Sequence, residues 1–216
     1  MHAASTAPQA IYHAQTVYQL REFAKTKRYT MLEIQAFIVN QNHADRLEVE
    51  HFIRDIFAST YQATVTHFMP ILVALRDADG GLMAAFGMRH AAQESLFLEQ
   101  YLDVPIEHLL SSQLNKTITR DEITEIGNLA VANPRNAGIL IAHVIQQSLD
   151  MQVKWCVATA HRSLQNGLIK GGRDVFAMQA ADVGRLPKTE QALWGRYYDN
   201  QPQIIAVRGI ASQIGA

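Results

Sequence analysis

The chain has 216 residues, of which 48% are hydrophobic and 18% are charged. This length and composition are typical of one globular domain with a full hydrophobic core. The 19 basic and 20 acidic residues give a formal net charge of -1, so the sequence lacks the basic excess of proteins that bind nucleic acid or anionic lipid. Cys156 is the only cysteine, which excludes an intrachain disulfide, and its apolar surroundings predict a buried small side chain rather than a nucleophile.

No segment predicts export or insertion into a membrane. Residues 1–12 lack a basic region followed by an apolar core and a small-residue cleavage site. The longest apolar runs, such as residues 69–75, are far shorter than the ~20 residues that a membrane-spanning helix needs. We therefore expect a cytoplasmic protein without membrane insertion.

The first half of the chain predicts antiparallel pairing. Residues 29–39 favour a strand. In residues 45–60 the apolar side chains recur every three or four positions, which is the pattern of an amphipathic helix. Two strand-like runs, residues 71–76 and 82–90, are joined by Asp-Ala-Asp-Gly-Gly, and such a dense group of turn residues indicates a hairpin.

The second half alternates helices and strands. An apolar run at residues 96–102 is followed by Pro105, which suits the first turn of a helix at residues 106–114. The remaining pattern predicts a strand at 123–131, a helix at about 136–150, a strand at 153–160, a helix at 163–170, a strand at 174–180, a helix at 188–198 and a closing edge strand at 203–207.

This order of elements predicts a mixed α/β (α+β) protein. We expect a mainly antiparallel central sheet with helices on both faces. No repeat or low-complexity linker divides residues 28–216, which are expected to form a single domain. Residues 1–27 have no clear period and are expected to be a tail or a loosely docked helix.

The turn between the predicted strand 123–131 and the next helix is a candidate anion site. The first four N–H groups of a helix have no partner within the helix, so they are available to a phosphate. Arg135 would add a charge-assisted donor. The expected ligand is the phosphorylated carrier of an acyl thioester, held by Arg135 and by the amides of Asn136, Ala137, Gly138 and Ile139.

The antiparallel front half, followed by strand, Arg-x-x-Gly and helix, resembles the GNAT acyltransferase fold. The signature of that superfamily, Arg/Gln-x-x-Gly-x-Gly/Ala, is matched by Arg135 and Gly138, whereas Leu140 stands in place of the last small residue. Asn166 lies in the helix where many GNAT proteins place an asparagine near the pantetheine arm. The general-acid tyrosine usual in that helix would fall at Leu168, so Tyr197 or Tyr198 would serve from elsewhere, or the thiolate would leave unassisted.

At closer range the chain resembles the thermostable hemolysin family. The matching stretches are residues 96–102, 125–130, 158–162 and 194–198. The resemblance implies a GNAT-like domain related to the acyl-homoserine-lactone synthases, which take acyl chains from a carrier protein. The family name itself records a lytic phenotype.

Transfer of an acyl group to an amine needs a proton acceptor and a held thioester. We interpret Glu125 as the acceptor of the amine proton, directly or through water, or else as a solvated strand-end carboxylate. Asn128 follows a strand glycine that favours a bulge, where Asn128 either acts in catalysis or satisfies nearby backbone. Glu99 and Tyr101 either orient the amine or are a surface Glu and a core Tyr. The donor-binding residues expected at the splayed strand and the turn after it are Leu129, Ala130, Val131, Arg135, Asn136, Ala137, Gly138, Ile139, Leu140 and Asn166.

The sequence therefore predicts an acyltransferase with an acyl-CoA or acyl-carrier-protein donor and a small amine acceptor. A fatty acyl group would suit the apolar side chains of Met83, Phe86 and Met88, although a hydrophobic strand explains them equally. No His-Glu-x-x-His pair indicates a metal, and no nucleic-acid partner is expected. The alternatives are a membrane-active lysin without enzymatic activity and a catalytically inactive domain that binds an acyl carrier.

Overall fold

The computed structural model describes residues 34–209. Its strands are β1 (Gln35–Val39), β2 (Ile71–Arg76), β3 (Leu82–His90), β4 (Ile123–Val131), β5 (Trp155–Ala160), β6 (Val175–Ala180) and β7 (Gln203–Arg208). Its helices are α1 (Arg46–Tyr61), α2 (Ile106–Leu114), α3 (Ala137–Asp150), α4 (Arg162–Lys170) and the short α5 (Lys188–Gln191). The predicted tail at residues 1–27 and the start of the first predicted strand lie outside the described residues.

One sheet of seven strands forms the centre, in the order β1-β2-β3-β4-β5-β7-β6. Neighbouring strands are antiparallel, except that β4 and β5 are parallel. A parallel pair needs a crossover connection, and α3 lies in the one between β4 and β5. The predicted fold class, a mixed and mainly antiparallel sheet with helices on both faces, is confirmed.

The alternation of side chains along β3 divides the core between the two faces of the sheet. Phe86 and Met88 pack in the cluster that contains Leu140 of α3, on what we call the α3 face. Ala85 points the other way, into the cluster of the buried α1 stripe, on the α1 face. That stripe consists of Val49, Ile53 and Phe57. Each face of the sheet therefore has its own apolar core. Burial of each large apolar side chain there stabilises the fold by about 1.5–3 kcal/mol.

The parallel pair β4–β5 separates after only three paired positions, the last of which joins Glu125 to Val157. Close to this point β4 contains one more residue than β3, because Ala85 faces Ala130 whereas Gly87 faces Gly127. Such a bulge bends its strand and increases the local twist. The second half of β4 therefore diverges from β5 and leaves a gap in the sheet, as the strand glycine led us to expect.

Strand β7 does not form the edge that the sequence led us to expect. It lies between β5 and β6, so β6 is the edge strand. Ile204, Ile205 and Ala206 are fully buried, although consecutive residues point to opposite faces. A strand that is apolar on both faces belongs inside a sheet, and this pattern was the available signal.

The helix predicted at residues 188–198 is also wrong in most of its length. Only Lys188–Gln191 is α-helical, and 3₁₀ turns follow at Ala192–Trp194 and Tyr197–Asn200. Gly195 interrupts them with a φ of 49° and packs against the carbonyl of Tyr61 at the end of α1. Trp194 and Tyr197 of this segment lie at helical spacing, but they line one wall of a cleft instead of one face of a helix.

The segment before β2 crosses the sheet over a pair of glycines. Gly87 and Gly127 face each other across β3 and β4, and the Met69 side chain lies on both. A Cβ added at Gly87 would lie 2.5 Å from Met69 Cβ, close to the backbone, whereas a Cβ at Gly127 would meet the terminal Cε. The glycines therefore allow Met69 to approach the sheet closely.

We expect Gly87→Ala to lower the free energy of unfolding by about 1–3 kcal/mol, because Met69 Cβ cannot move without its backbone. Gly127→Ala is the matched control and should cost less than about 1 kcal/mol, since the flexible end of Met69 can turn away. Urea denaturation of both variants measures the difference. Equal losses at the two positions would contradict this account of the packing.

Candidate active site

A cleft of 1080 Å³ passes through the sheet where β4 and β5 diverge. On the α1 face its lining includes Glu125, Arg89 and the segment of residues 64–69. On the α3 face it includes Gly138 of α3 and Gly167 of α4. Because both faces open into one space, two molecules that enter from opposite sides would meet beside Glu125.

Glu125 is buried at the point where the strands separate, with 3% of its surface exposed. Its carboxylate oxygens accept hydrogen bonds from the N–H groups of Phe97 (2.8 Å) and Leu98 (2.9 Å), at the start of the 3₁₀ helix Phe97–Tyr101. Burial raises the pKa of Glu125 to about 7, although the two N–H groups and the charge of Arg89 lower the pKa. The burial excludes the alternative of a solvated strand-end carboxylate. A carboxylate with this pKa can accept a proton near neutral pH.

Asn128 occupies the bulge with a φ of 49°, a left-handed conformation that asparagine adopts more readily than most residues. Its Oδ1 accepts a hydrogen bond from the N–H of Met69 (2.8 Å), and its Nδ2 donates to the carbonyl of His67 (3.2 Å). Asn128 therefore satisfies backbone groups of the segment that forms one wall of the cleft. Its direct participation in catalysis stays a prediction.

The free edge of β4 supplies backbone donors at the gap. The N–H of Ala132 bonds to the carbonyl of Met83 in β3, and backbone groups alternate in direction along a strand. The N–H groups of Leu129 and Val131 therefore point toward the side from which β5 has withdrawn, and both residues line the cleft. The side chain of Ala130 instead packs in the core of the α1 face.

The turn after β4 already uses part of its own donor set. Asn133 Oδ1 accepts the N–H of Arg135 (3.0 Å), and the carbonyl of Asn133 accepts the N–H of Asn136 (2.8 Å). The N–H of Ala137 bonds to the carbonyl of Pro134. Of the residues expected to hold the donor here, Ala137, Gly138 and Leu140 line the cleft, and Leu140 is buried in the core as well.

The other expected donor-binding residues lie away from the cleft lining. At the turn Arg135 is exposed and Asn136 is half-buried, and Ile139 packs against the core of the α3 face. Asn166 is exposed on α4 and is not among the residues that line the cleft. Their contact with a donor stays a prediction.

The two residues expected to orient the amine have different surroundings. The Glu99 carboxylate accepts the N–H groups of Leu96 (2.8 Å) and Ile106 (3.1 Å) and pairs with Arg120 at 2.6 Å, which lowers its pKa against the effect of its burial. Glu99 lines a separate surface pocket rather than the cleft. Tyr101 does line the cleft, is buried, and its hydroxyl lies 2.5 Å from that of Tyr198. Burial raises the pKa of both tyrosines, that of Tyr198 to about 12.

Several residues of the cleft were not assigned to a site from the sequence, and Tyr197 was named there only as an alternative general acid. Aromatic rings from α1, the 3₁₀ helix and the segment after α5 form one wall of the cleft. The ring centroid of Trp194 lies 5.7 Å from that of Phe97 and 5.3 Å from that of Tyr197. The ring of His161 packs edge-on against that of Tyr197, with the centroids 4.6 Å apart, and burial lowers the pKa of His161. Its buried Nε2 has no hydrogen-bond partner in the described part of the chain. Arg162 and Lys170 of α4 bring positive charge to the other end of the cleft.

An apolar hollow of 70 Å³ adjoins the cleft on the α3 face. Both spaces are lined by Ile126, Leu129, Ile141 and Leu164, so these side chains stand between the hollow and the cleft. Deeper in, it is lined by hydrocarbon groups of α3, β5 and β7, beside the thiol of Cys156. Burial raises the pKa of Cys156 to about 11, which agrees with an unreactive thiol.

Within residues 34–209, no helix is both long and apolar enough to cross a bilayer. In the same range no three His, Cys, Asp or Glu side chains are arranged to hold a metal ion.

The fold is shared with solved structures of acyl-transferring enzymes. FeeM, an N-acyl amino acid synthase from uncultured soil microbes, is 11% identical, with 82% of this chain and 91% of that chain covered and a TM-score of 0.54. The acyl-homoserine-lactone synthase LasI is 10% identical, with 82% and 90% covered and a TM-score of 0.54. BjaI, a CoA-dependent synthase of the same kind solved with SAM and isopentyl-CoA, is 16% identical, with 82% and 83% covered and a TM-score of 0.54. These likenesses show that the chain shares its fold with acyl-homoserine-lactone synthases, as the sequence led us to expect.

No curated protein matches the sequence. A family model described as thermostable hemolysin, however, matches residues 39–212, which is most of the chain. The stretches that first suggested this family lie within that range. The chain therefore belongs to the thermostable hemolysin family.

Proposed function

We propose that the protein is an N-acyltransferase that moves an acyl group from a CoA or acyl-carrier-protein thioester to an amine. The observation that carries this proposal is the buried Glu125 carboxylate, placed where a cleft passes through the divergent strands β4 and β5. FeeM, LasI and BjaI, whose fold it shares, are all named as enzymes that make acylated products.

The acceptor would enter on the α1 face and lose a proton to Glu125. The neutral amine then attacks the thioester carbonyl, and a C–N bond forms. The oxyanion that develops would be stabilised by the N–H groups of Leu129 and Val131 at the free edge of β4. Collapse of this intermediate breaks the C–S bond, and the attacking nitrogen loses its second proton to water as the amide forms. The thiolate is a weak base, with a pKa of about 8.5 in its free form, and it leaves with the proton held by Glu125 or by water.

The donor would enter on the α3 face. Its phosphates would lie near Arg162 and Lys170, since three amides of the turn after β4 already have partners. The acyl chain would extend into the apolar hollow, where its own hydrocarbon surface is removed from water. This arrangement favours an acyl group longer than acetyl.

We expect Glu125→Gln to lower the rate of acyl transfer by about 100- to 10,000-fold, because the amide cannot accept the proton. In the wild type, kcat/KM should rise with pH as Glu125 ionises, with a midpoint near its pKa of about 7. Release of free thiol from acyl-CoA or acyl-carrier protein, measured across pH, tests both expectations. Undiminished turnover in the variant would remove Glu125 from this role.

Stability must be measured beside activity, because the glutamine NH₂ would face one of the N–H groups of Phe97 and Leu98. The free acid has a lower pKa in the unfolded chain, so between about pH 4.5 and 7 the folded state holds a proton that the unfolded state has lost. This group therefore makes the wild type less stable as pH rises through that window. In Glu125→Gln this part of the pH dependence should disappear.

We expect Leu164→Trp to reduce kcat/KM for medium-chain donors by about 10-fold or more relative to acetyl-CoA, because the larger side chain fills the junction of cleft and hollow. Ile169→Trp is the matched control, since Ile169 lies on the same helix but is 56% exposed. A series of donors of increasing chain length measures the preference. An equal effect on acetyl and longer donors would show that the hollow does not bind the chain.

A further inference from the structure

Arg89 is a guanidinium in the cleft whose hydrogen-bonding capacity the described residues leave mostly unused. Its side chain is 15% exposed, and its buried Nε has no hydrogen-bond partner among residues 34–209. The nearest carboxylate oxygen, from Glu94, lies 3.6 Å from Nε, which is too long for a hydrogen bond. Nη1 makes one long contact of 3.4 Å to the carbonyl of Ser95.

Arg46 and Arg120 differ in this respect, whereas Arg173, which lines the apolar hollow rather than the cleft, is the other described arginine whose buried Nε lacks a hydrogen-bond partner. Arg46 donates to Glu50 and to the carbonyls of Val39, Met69 and Pro70. Arg120 donates to the carboxylates of Glu99 and Glu107 and to the carbonyls of Ala91 and Glu94. Buried guanidinium groups are normally satisfied in this way, since each unmet donor costs stability. Arg89 is therefore prepared for a partner that enters from the cleft.

The position of Arg89 relative to Glu125 restricts that partner. The two residues are directly opposite each other in the β3–β4 pair, so their side chains lie on the same face of the sheet. The Glu125 oxygens bond to Phe97 and Leu98, and the two groups make no ion pair within 4.0 Å among the described residues. The cleft thus presents a cationic and an anionic group side by side. A carboxylate one carbon away from an ammonium matches both.

The aromatic wall beside these two groups defines a third contact. Phe97 also lines the cleft. Its ring centroid lies 6.3 Å from that of His67 and 5.7 Å from that of Trp194. A wall of aromatic rings offers a large apolar contact area, and it can pair with a further aromatic ring.

We propose that the amine acceptor is a free α-amino acid with an apolar or aromatic side chain, whose carboxylate is bound by Arg89 while Glu125 receives the proton of its α-ammonium. This inference rests on the proposed acyltransferase function and specifies its acceptor. Arg89 bonds the acceptor bidentately through the guanidinium, the geometry that arginine adopts with carboxylates. The reaction then forms an N-acyl amino acid and releases the free thiol.

The test compares L-phenylalanine with 2-phenylethylamine, which lacks only the carboxylate. The wild type should acylate phenylalanine with a kcat/KM about 10- to 100-fold higher. Arg89→Met should remove this preference by lowering kcat/KM for phenylalanine alone, and Arg89→Lys should restore part of it. Assays at a pH well above the pKa of Glu125 keep that group ionised in every variant. Arg185→Met, which removes a surface ion pair with Asp103 outside the cleft, is the control.

A loss of equal size with both acceptors in Arg89→Met would show that Arg89 is only structural and would overturn the proposal. So would a wild type that prefers phenylethylamine or acylates only amines without a carboxylate, although the acyltransferase function would then stand. Binding provides a second readout that does not need turnover. N-octanoyl-phenylalanine should raise the melting temperature of the wild type, but not of Arg89→Met, and N-octanoyl-phenylethylamine should raise neither. If this binding pattern is found without any acyl transfer, the site stands and the catalytic function fails.

Discussion

The separation of β4 from β5 is the constraint on which the rest of the site depends. Hydrogen bonds between neighbouring strands ordinarily leave no opening in a sheet. Here, however, the parallel pairing of β4 and β5 ends at Glu125 and Val157. The bulge at Asn128 turns the rest of β4 away, and the packing of α3 and α4 on one face and α1 on the other keeps the two strands apart. An opening through the sheet joins two faces that would otherwise be separate, so a donor and an acceptor can approach from opposite sides.

The same opening explains why Glu125 can be both structural and chemically active. Its two oxygens hold the start of the 3₁₀ helix Phe97–Tyr101, and two N–H donors lower the pKa of a carboxylate. Burial acts in the opposite direction and prevails, so the pKa lies near neutrality rather than below its usual range. A carboxylate has further lone pairs beyond those used here. The backbone bonds therefore fix its position without removing its ability to take a proton.

The arginines of this protein show how the surroundings of one residue type separate structural from functional positions. Arg46 and Arg120 are surrounded by carbonyls and carboxylates and connect segments of the chain. Arg89 extends from β3 into the cleft, where the described residues accept only one long hydrogen bond from its guanidinium. A fold that leaves a buried guanidinium poorly satisfied loses stability, and a bound anion would offset that loss. This contrast, rather than charge alone, makes Arg89 a candidate for substrate binding.

The sequence by itself determined most of the elements, because hydrophobic period, turn residues and caps are local properties. The hairpin at residues 71–76 and 82–90 and the helix at 106–114 have the predicted bounds. The order of elements predicted the fold, and four short stretches spread along the chain predicted the family. Tertiary structure alone decided that β7 enters the sheet between β5 and β6, since strand order depends on which surfaces fit together and not on chain order. It also decided that Glu99 pairs with Arg120 outside the cleft, whereas Arg89, a hairpin residue that no sequence motif singles out, lies opposite Glu125. Residues distant in sequence share a site only because strand register and the bulge bring them there, and no local pattern records that register.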